Sequence, residues 1–454
     1  MKLNDKTILV AGSGKSGIGA AELLQKLGAE IVLYDGNDKL EVETVKSKLT
    51  NPEGVEIVLG ELSQDIIDRA ELMILSPGIA IDAPFVNTVK ENNIPIWGEI
   101  ELAYRVGKGK VIAITGTNGK TTTTALVGKI MENYYEKVNV VGNIGNPYTT
   151  TAFDSDEDTV TVAEISSFQL ETIHEFKPDV SAVLNITPDH LNRHYTMDNY
   201  ANVKMSITKN QDENQVCVLN YEDEILRAKA KELKNKVVFF SSKQKLSEGV
   251  YLEGEKIMYK ENGVETFVTT TAETNLVGIH NIENIMAAIA LSINMGVPVK
   301  VIRESISEFQ AVEHRIEYVA TNHEVVYYND SKGTNTDASI KAIDAMTRPT
   351  VLIAGGYDKK VKFDEWIDAF NGKIKCLVLI GETAKQIADT AKSHGYMNVV
   401  FAATLEEAVE ISAKTAAPGD AVLLSPACAS WDMFDSYEQR GEMFKSIVKN
   451  LKTM

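Results

Sequence analysis

The sequence predicts an α/β protein of about three domains. Short runs rich in Val, Ile and Leu, such as VIAITG (111–116) and TVLIAGG (350–356), alternate with helical patterns from one end of the chain to the other. Continuous apolar strands separated by helices are typical of parallel sheets that are covered on both faces. The length of 454 residues agrees with this organisation, because a domain holds roughly 150 residues on average.

The predicted strands fall into three groups along the chain. They are TILVAG, EIVLYD and LMILSPG in the first group; VIAITG, TVTVAEIS, VSAVLNIT and QVCVLN in the second; and EVVYYNDS, TVLIAGG, CLVLIGE and AVLLSPAC in the third. Residues 250–269 alternate in polarity and turn at Asn262-Gly263, which predicts an antiparallel hairpin attached to the middle sheet. We place the boundaries near residues 98 and 311, giving domains of 1–98, 99–311 and 312–454.

Composition excludes several classes of partner. A formal net charge of -18 argues against nucleic acid or an anionic membrane as a partner, since both need cationic surface. A strand-like run follows the polar residues Lys2, Asn4, Asp5 and Lys6, and no apolar run is long enough to span a bilayer, so we expect a soluble cytoplasmic protein without a signal peptide. Cys217, Cys376 and Cys428 are far apart, which fits buried thiols in a reducing compartment and not a structural zinc site.

A first glycine-rich turn follows the first strand, in VAGSGKSGIGAAELL (10–24). Gly12, Gly14 and Gly17 lie between a strand and a helix, and Asp35 ends the next strand. This spacing is typical of a dinucleotide or nucleoside diphosphate site, because the glycines let a diphosphate approach the helix N-terminus. The alternative interpretation is a packing turn without a ligand.

A second glycine-rich turn, ITGTNGKTTTT (114–124), ends like a phosphate loop but lacks the usual first glycine. The strand before it and the helix from Thr121 to about Met131 nevertheless predict a triphosphate site. Backbone amides can wrap the phosphates, Lys120 can reach their oxygens, and the Thr121 hydroxyl can hold Mg²⁺. The alternative is a glycine-rich turn that carries a surface lysine.

Three further polar residues follow the strands of the middle domain. Glu164 lies in VAEISSFQLE (162–171) and His190 in LNITPDHLNRH (184–194), both at the carboxyl ends of predicted strands, where ligands bind in open α/β sheets. They are therefore expected to converge on the metal region near Thr121. Lys204 lies on a predicted helix among apolar neighbours, and the residues alone favour a lysine that snorkels to the surface.

Two asparagines and several polar clusters complete the candidates. Asn281 and Asn284 lie on one face of the helix in GIHNIENIMAAIAL (278–291), where both could read a base, although Asn281 could instead cap the helix. The last third offers Arg315 in EHRIE, the cluster YYNDSKGTNTDA (327–338), the turn AGGYDKK (354–360) and SPACASWDMFDSYEQRG (425–441).

Together these stretches resemble the Mur ligase family of peptidoglycan synthesis over essentially the whole chain. TGTNGKTTT and HNIENIMAA also occur in folylpolyglutamate synthetases, so they indicate only the superfamily. AGSGKSG, SPGI (76–79) and SPACASWDMFDSYEQRG narrow the resemblance to the members that add D-glutamate. The resemblance implies a Rossmann-like N-terminal domain for the UDP-sugar, a central P-loop ATPase-like domain with a mostly parallel sheet, and a Rossmann-like C-terminal domain for the amino acid.

The resemblance also implies roles for individual residues. The positions matching UDP-sugar contacts are Lys15, Ser16, Asp35, Gly36, Asn37, Gly78, Asn143, Ser166 and His190. The positions matching ATP contacts are Gly116, Thr117, Asn118, Gly119, Lys120, Thr121, Thr122, Asn281, Asn284, Arg315, Asp330 and Lys332. The positions matching D-glutamate contacts are Thr334, Lys359, Ser430, Trp431 and Tyr437, and those matching metal ligands are Thr121, Glu164, His190 and Lys204.

Lys204 falls where the family carries a lysine carbamylated by CO₂, an anion that can hold a second Mg²⁺. This chemistry needs an uncharged amine, hence a depressed lysine pKa. The sequence departs from the family at Trp431, where leucine is common, and at Tyr437, where phenylalanine is common. GGYDKK also differs from the usual GGDGK, which leaves Lys360 as a rival to Lys359.

The expected activity is ATP-dependent addition of D-glutamate to UDP-N-acetylmuramoyl-L-alanine through an acyl phosphate, catalysed with Lys120, His190 and Lys204 by a monomer that uses Mg²⁺. The nearest alternative is another amide ligase of the superfamily. An NAD(P) oxidoreductase built on Gly12 to Gly17 is disfavoured because no hydride-transfer site follows it. A regulatory guanine-nucleotide switch is disfavoured because no N-K-x-D motif is present.

Overall fold

Three mostly parallel sheets follow one another along the chain in the computed structural model, which describes residues 3–143, 145–310 and 312–451. Helices separate most of the parallel strands in all three sheets, so the predicted α/β class is confirmed. The chain forms two compact units, Met1–Thr274 with Glu283–Glu308, and Asn275–Ile282 with Phe309–Met454. The first unit holds two sheets and the second unit holds the third. Ala311, at the predicted boundary, lies outside the described residues.

The first sheet is fully parallel. Its elements are β1 (Thr7–Ala11), α1 (Lys15–Lys26), β2 (Glu30–Asp35), α2 (Val42–Lys46), β3 (Val55–Leu59), α3 (Gln64–Arg69), β4 (Leu72–Leu75), α4 (Pro84–Glu91), β5 (Ile96–Gly98) and α5 (Glu99–Val106). The strand order is β3-β2-β1-β4-β5. Ile8 and Val10 enter one hydrophobic core and Leu9 and Ala11 another, so both faces are covered. The turn after β1 therefore emerges beside the end of β2.

The second sheet has nine strands. Its parallel part and helices are β6 (Lys110–Thr115), α6 (Lys120–Glu132), β7 (Val138–Gly142), α7 (Thr149–Ala152), β8 (Val160–Glu164), α8 (Ser167–Leu170), β9 (Val180–Val183), α9 (Leu191–His194), α10 (Met197–Met205), β10 (Val216–Asn220), α11 (Glu224–Ala230) and β11 (Lys236–Ser241). It continues with β12 (Gly249–Glu253), β13 (Lys256–Glu261), β14 (Val264–Thr270), α12 (Ile279–Asn294) and α13 (Val299–Glu308), with 3₁₀ turns at Ser206–Thr208 and Thr271–Glu273.

The order of this sheet is β14-β13-β12-β11-β10-β9-β6-β8-β7. Strand β6 lies between β8 and β9, with Ile114 opposite Glu164 and Thr115 opposite Val183. The loops that follow these three strands consequently leave the same edge side by side. This arrangement brings the second glycine-rich turn, Glu164 and the His190 loop to one end of the sheet.

The predicted hairpin is confirmed and has one more strand than expected. Strands β13 and β14 are antiparallel, and their turn places Asn262 and Gly263 at φ of 52° and 77°. Positive φ at both central residues is the geometry of the tight hairpin turn that Asn-Gly favours. Strand β12 pairs antiparallel with β13 and parallel with β11, so it joins the hairpin to the parallel sheet.

The third sheet has six strands. Its elements are β15 (Glu317–Asn322), β16 (Val325–Asn329), α14 (Thr336–Ala345), β17 (Thr350–Ala354), α15 (Asp364–Asp368), β18 (Ile374–Leu379), α16 (Ala384–Ser393), β19 (Val399–Phe401), α17 (Leu405–Thr415), β20 (Ala421–Leu424) and α18 (Tyr437–Lys449). The order is β15-β16-β20-β17-β18-β19, with only β15 antiparallel. Because β20 lies between β16 and β17, the segments that follow these strands share one edge.

The three cysteines are buried free thiols, as expected. Within the described residues, no helix combines the length and apolar character needed to cross a membrane.

Candidate functional site

The first glycine-rich turn closes onto the end of β2. Gly12 has φ of 99°, and a Cβ on Gly17 would lie 1.8 Å from the Gly12 carbonyl oxygen, so both positions need glycine. Asp35 Oδ2 accepts hydrogen bonds from the Ser13 amide (3.0 Å) and hydroxyl (2.6 Å). Burial acts to raise the pKa of Asp35, but the bonds from Ser13 and the Asn37 amide hold that pKa below its ordinary value. Asp35 therefore stays ionised and fixes the turn.

The other residues predicted to contact the UDP part lie around this turn, at the carboxyl edge of the first sheet. Lys15 is exposed at the start of α1 and Ser16 is half-buried beside it, while Gly36 and Asn37 are exposed after β2. Gly78 is exposed in the loop that follows β4. The N-terminus of α1 and the Lys15 ammonium give this edge the positive charge that a diphosphate needs.

The second glycine-rich turn folds around its own lysine. Lys120 begins α6, and its Nζ donates to the carbonyl oxygens of Gly116 (2.8 Å) and Thr117 (2.9 Å). Gly119 has φ of 84°, and a Cβ there would lie 2.2 Å from Asn284 Oδ1. The turn is therefore in contact with one of the two asparagines predicted to read the base.

Asn185, which sequence reasoning missed, braces the same turn from the loop after β9. Its Oδ1 accepts from the Asn118 amide (2.8 Å) and its Nδ2 donates to the Asn118 carbonyl oxygen (3.1 Å). The Asn185 carbonyl oxygen also accepts from the Thr117 amide (2.9 Å). Thr121 and Thr122 follow on α6, and both are buried. The loop conformation is thus held from the neighbouring strand.

Glu164 offers a buried carboxylate with unused hydrogen-bonding capacity. It is 2% exposed, and its Oε1 accepts from Asn143 Nδ2 at 2.9 Å. Its Oε2 has no hydrogen-bond partner within the described part of the chain. Because a buried charged oxygen is costly without a partner, this atom is suited to a hard cation such as Mg²⁺. The Asn143 amide also bonds the Glu164 carbonyl oxygen (2.8 Å), so these two predicted residues are in direct contact.

Lys204 is buried, and the snorkelling interpretation is wrong. The side chain is 2% exposed because α10 packs beneath the glycine-rich turn, and its Nζ donates to the Gly116 carbonyl oxygen at 2.8 Å. Lys120 Nζ donates to the same oxygen. Burial, and then the positive charge of Lys120, lower the pKa of Lys204 well below its ordinary value. An uncharged amine at this position is the form that carbamylation requires.

His190 lies in a strained loop that carries a second unforeseen residue, Arg193. His190 has φ of 52°, and its ring lies 4.8 Å from that of Phe168. Arg193 donates to the carbonyl oxygens of Pro77 (2.8 Å) and Ile79 (2.9 Å), on either side of Gly78. Arg193 thereby fastens the His190 loop to the SPGI loop of the first sheet.

Two further contacts hold the Arg193 guanidinium. It pairs with Glu171 Oε2 at 2.5 Å and stacks 4.1 Å over the Phe168 ring. The sequence signal for this role was available in LNRH, but the partner carbonyls lie more than a hundred residues away and have no side-chain signature.

Ser166 caps the short helix α8. Its hydroxyl and amide both donate to Gln169 Oε1, at 2.9 and 2.8 Å. Gln169 Nε2 in turn donates to Glu99 Oε1 at 2.6 Å. Ser166, two residues after Glu164, is therefore held through Gln169 by a carboxylate from the start of α5.

The two asparagines of α12 differ in their surroundings. Asn284 contacts the second glycine-rich turn at Gly119. Asn281 is the third residue of the helix, so the capping interpretation is wrong, and its Nδ2 donates to the Val277 carbonyl oxygen at 2.8 Å. The residue before the first residue of the helix is Gly278.

In the second unit, Asp330 is a buried acid at the end of β16. Its Oδ2 accepts from Ser425 Oγ (2.7 Å) and its Oδ1 from the Ile316 amide (3.3 Å). Burial raises the pKa of Asp330 to about 7. Strand order explains the contact with Ser425, because β20 lies beside β16.

Arg315 lies between two residues with left-handed backbone conformations, His314 (φ 64°) and Ile316 (φ 45°). Such strain in a branched residue is concentrated at functional sites. The His314 carbonyl oxygen accepts from the Lys332 amide (3.1 Å), and Lys332 Nζ lies 5.1 Å from the centre of the Tyr437 ring. The loops that carry Arg315 and Lys332 are thus joined.

Lys359 and Lys360 point in different directions. Lys359 Nζ donates to the Thr334 carbonyl oxygen (3.3 Å) and lies 5.6 Å from the centre of the Trp431 ring. The Lys360 side chain is 84% exposed and pairs with Asp358 at 2.7 Å. Only Lys359 joins other residues predicted to bind D-glutamate.

Arg440, also missed from the sequence, supports this region from within. It is fully buried, and it donates to Ser331 Oγ (2.9 Å), to the Ser331 carbonyl oxygen (2.8 Å) and to the Cys428 carbonyl oxygen (3.3 Å). Ser331 Oγ donates in turn to the carbonyl oxygen of Tyr437, the first residue of α18 (2.8 Å). Ser430 is 2% exposed and lies in the same loop as Cys428, the segment SPACAS (425–430).

Known proteins resemble the chain from end to end. It is 55% identical to UDP-N-acetylmuramoylalanine--D-glutamate ligase of Lachnospira eligens, over 99% of this chain and 100% of the relative. The chain belongs to the Mur ligase family. Mur ligases are ATP-dependent, and this chain therefore uses ATP. The ligase of the same name from Clostridioides difficile is 45% identical over 100% of both chains.

Three Mur ligase domain models match in succession. They are the MurD-like N-terminal domain at residues 6–98, the Mur ligase middle domain at 114–292, and the Mur ligase glutamate ligase domain at 314–428.

Solved Mur ligase structures share the fold. UDP-N-acetylmuramate-alanine ligase MurC from Thermotoga maritima aligns with a TM-score of 0.61 and 21% identity, over 98% of this chain and 100% of that one. MurF ligase from Thermotoga maritima in complex with ADP aligns with a TM-score of 0.60 and 15% identity, over 99% and 96%. These two likenesses support the Mur ligase fold alone.

Proposed function

We propose that the chain joins D-glutamate to UDP-N-acetylmuramoyl-L-alanine in the cytoplasmic synthesis of peptidoglycan precursors. Relatives named for this reaction align over its whole length. The observation that carries the proposal is the second glycine-rich turn, where Lys120 and Lys204 meet at the Gly116 carbonyl oxygen beside the strand that ends in Glu164. This arrangement suits transfer of a phosphoryl group to a carboxylate.

In the first step, a carboxylate oxygen of the sugar peptide attacks the γ-phosphorus of ATP. An O–P bond forms, the bond to the β,γ-bridging oxygen breaks, and ADP leaves with the electron pair. Lys120 and the amides of residues 116–121 position the phosphates and offset their charge, which supplies most of the catalysis in such reactions. His190, near the end of the same sheet, is assigned to the substrate carboxylate and its metal.

In the second step, the amine of D-glutamate attacks the acyl carbon. A C–N bond forms, the C–O bond to phosphate breaks, and the nitrogen loses a proton. The chain needs no nucleophile of its own for either step. Thr334, Lys359, Ser430, Trp431 and Tyr437 are assigned to D-glutamate, and the contacts of Lys359 favour it over Lys360.

We assign two Mg²⁺ ions to Thr121, Glu164, His190 and a carbamylated Lys204. When bound, Mg²⁺ supplies positive charge to the phosphate oxygens. The residues fit this assignment, because Glu164 Oε2 is buried without a partner in the described residues. The uncharged Lys204 amine would attack the carbon of CO₂ and form an N–C bond while one C=O π bond breaks and leaves its electron pair on oxygen. Loss of a proton from the nitrogen then yields the anionic carbamate.

The remaining assignments follow the sheets. Residues 1–98 would bind the UDP-sugar, 99–311 ATP and 312–454 the amino acid, in a monomer that binds neither nucleic acid nor membrane. Lys15, Ser16, Asp35, Gly36, Asn37, Gly78, Asn143, Ser166 and His190 are assigned to the UDP-sugar. Gly116–Thr122, Asn281, Asn284, Arg315, Asp330 and Lys332 are assigned to ATP.

Phosphate release tests the proposed function. The protein would be incubated with ATP, Mg²⁺ and UDP-MurNAc-L-alanine, and with D-glutamate, L-alanine, L-lysine or meso-diaminopimelate in turn. We expect release above background only with D-glutamate. Release with a different amino acid would identify another ligase of the superfamily.

The variant Lys120→Ala locates the reaction. We expect it to lose ADP formation by about a thousandfold or more, because a lysine on the transferring phosphate stabilises charge in the transition state. Its circular dichroism should match the original protein. Unchanged turnover would place the ATP site elsewhere.

A further inference from the structure

A buried carboxylate near the join between the first and second sheets has no part in the proposed reaction. Glu99 is the first residue of α5 and is 1% exposed. Its Oε1 accepts from Gln169 Nε2 at 2.6 Å, and its Oε2 has no hydrogen-bond partner in the described parts of the chain. Burying a carboxylate with one oxygen unpartnered costs free energy of folding. We therefore expect Glu99 to have a function that offsets this cost.

The backbone is built to bring Glu99 to Gln169. The Gly98 amide donates to the Thr172 carbonyl oxygen at 3.2 Å. A Cβ on Gly98 would lie only 2.2 Å from Thr172 Oγ1, so a larger residue would push the two segments apart. Gly98 therefore permits a contact between residues that are distant in sequence.

Glu99 determines which way the Gln169 carboxamide faces. A carboxamide has one donor end and one acceptor end, and the Glu99 oxygen that faces Gln169 accepts a hydrogen bond. Glu99 therefore selects Nε2, which turns Gln169 Oε1 towards Ser166. The reverse orientation would set the NH₂ group against the Ser166 amide, and two donors would face each other.

The orientation of Ser166 follows from that of Gln169. Its amide and hydroxyl both donate to Gln169 Oε1, at 2.8 and 2.9 Å, and the Gln169 amide donates back to the hydroxyl at 3.3 Å. With its hydrogen directed at Gln169, the hydroxyl offers a lone pair to any ligand. We call Glu99, Gln169 and Ser166 the seam relay.

We propose that Glu99 is a positioning residue for the sugar-peptide substrate, because through Gln169 it fixes Ser166 in the orientation that contacts this substrate. The inference rests on the proposed function only in taking Ser166 as a substrate contact. It extends the substrate site to a carboxylate on α5 that does not touch the ligand itself.

Kinetics of Glu99→Leu and Glu99→Gln test the proposal. Leucine removes the acceptor, so we expect the KM for UDP-MurNAc-L-alanine to rise about tenfold, the effect of one lost hydrogen bond. The KM values for ATP and D-glutamate should stay within about twofold, because neither depends on Ser166. Glutamine keeps an acceptor oxygen and should restore most of the affinity. An equal rise in all three KM values, or none, would overturn the proposal.

Glu101→Gln is the matched control. Glu101 is also buried on α5, but it accepts from the amides of His174, Glu175 and Phe176, and among the described residues no hydrogen bond joins it to the seam relay. It should leave the KM for the sugar peptide unchanged even if the melting temperature falls. If Glu101→Gln raised the KM for the sugar peptide as much as Glu99→Leu does, the effect of Glu99→Leu would be explained by a general destabilisation of α5, and the proposal would be overturned.

A double-mutant cycle separates positioning from packing. If Glu99 acts through Ser166, adding Glu99→Leu to Ser166→Ala should change the KM by less than about twofold, since the interaction has already been removed. Full additivity of the two substitutions would overturn the proposal.

Amide hydrogen exchange of Ser166, followed by NMR without substrate, tests the relay independently of activity. Exchange should be faster in Glu99→Leu and unchanged in Glu101→Gln. Unchanged exchange in Glu99→Leu would overturn the relay, and faster exchange with an unchanged KM would overturn its role in binding. Failure of the proposed function shows separately, as absent D-glutamate-dependent phosphate release in the unaltered protein.

Discussion

At Lys204, burial decides what a single side chain can do. Its neighbours in sequence made a surface lysine the better interpretation, because Ala201, Val203 and Met205 are the apolar surroundings of a snorkelling side chain. In the folded chain the Lys204 side chain is buried, and its Nζ shares one acceptor, the Gly116 carbonyl oxygen, with Lys120. Sequence patterns cannot reveal this, since the acceptor lies on a different strand and turn.

The variant Lys204→Ala should lose about a hundredfold or more in phosphate release, because the anionic charge expected next to the phosphates would be missing. Added acetate or formate should restore part of the activity by supplying a carboxylate in the space left by the side chain. Initial rates against acetate concentration give the measurement. Lys209→Ala, at an exposed lysine just after α10, is the control. Full activity of Lys204→Ala without added carboxylate would exclude the carbamate.

The adjacent lysines of GGYDKK form a natural matched pair. Lys359→Ala should raise the KM for D-glutamate about tenfold or more, because it removes a cation that faces Thr334 and Trp431. Lys360→Ala should change this KM by less than about twofold, since its exposed ion pair with Asp358 contributes little. The measurement is initial rate against D-glutamate concentration. The reverse ranking would assign the role to Lys360.

At the scale of elements, α9 is fastened to the SPGI loop by Arg193. Its guanidinium meets two carbonyl oxygens, a carboxylate and an aromatic face, so it is far more constrained than a surface arginine. A second hydrogen bond, from Tyr195 Oη to Asp82 Oδ2 (2.7 Å), joins the end of α9 to the segment just after the SPGI loop. The loop predicted to hold the sugar and the loop predicted to hold its carboxylate therefore keep a fixed spacing.

Arg193→Met should raise the KM for UDP-MurNAc-L-alanine about tenfold while leaving the KM for ATP within about twofold, because the phosphate-binding turn has other supports. Arg193→Lys should recover only part of the affinity, since an ammonium cannot reach both carbonyls and stack. Arg227→Met is a suitable control, because Arg227, on α11, also lies over an aromatic ring, that of Tyr221. Equal effects of Arg193→Met and Arg227→Met would refute the specific role.

The sequence was sufficient for elements with strong local patterns. Central strands such as β1 and β6 are continuous apolar runs, and both glycine-rich turns lie where strand and helix patterns meet. The unrecognised strands include β3, whose second residue is Glu56, and the three-residue β5 and β19. Short or mixed strands form because a neighbour offers backbone hydrogen bonds, and this tertiary contribution has no local signal.

The sequence predicted residues of the candidate site itself, but it did not predict the residues that hold the site's loops in place. Glu164 and Lys120 were predicted from their places after the strands of the middle domain, and Ser166 from the resemblance to the family. Asn185 and Arg193 act mainly on backbone carbonyls or amides, which every residue possesses. Such partners become identifiable only when the sheet order is known.

At the scale of the whole molecule, two carboxylates on α5 make stability depend on pH in opposite directions. Burial raises the pKa of Glu99 from 4.5 to about 7. The folded state therefore binds more protons than the unfolded state between these values, and stability falls as pH rises through this window. Burial acts to raise the pKa of Glu101 too, but three backbone amides and Arg105 hold it below its ordinary value. Its contribution is present above the unfolded pKa and is lost as pH falls.

Glu99→Gln should therefore stabilise the protein at pH 8, by on the order of 3 kcal/mol, and the gain should vanish near pH 4.5, the ordinary value. Glu101→Gln should destabilise it at pH 8, since an amide bonds the three backbone N–H groups less strongly than a carboxylate. Calorimetric melting temperatures from pH 4 to 8 provide the comparison. Destabilisation by Glu99→Gln at pH 8 would contradict the sign.

The grouping of Asn275–Ile282 with the second unit has a practical consequence for dissecting the protein. Val277 packs against the hydrophobic core there, and a Cβ on Gly278 would touch Ala345. A fragment that starts at Phe309 would contain the rest of that unit but lack residues 275–282. The apolar surface that Val277 covers would then be exposed to water, and the fragment would tend to aggregate. A stable fragment therefore needs residues 275–282 attached through a flexible linker.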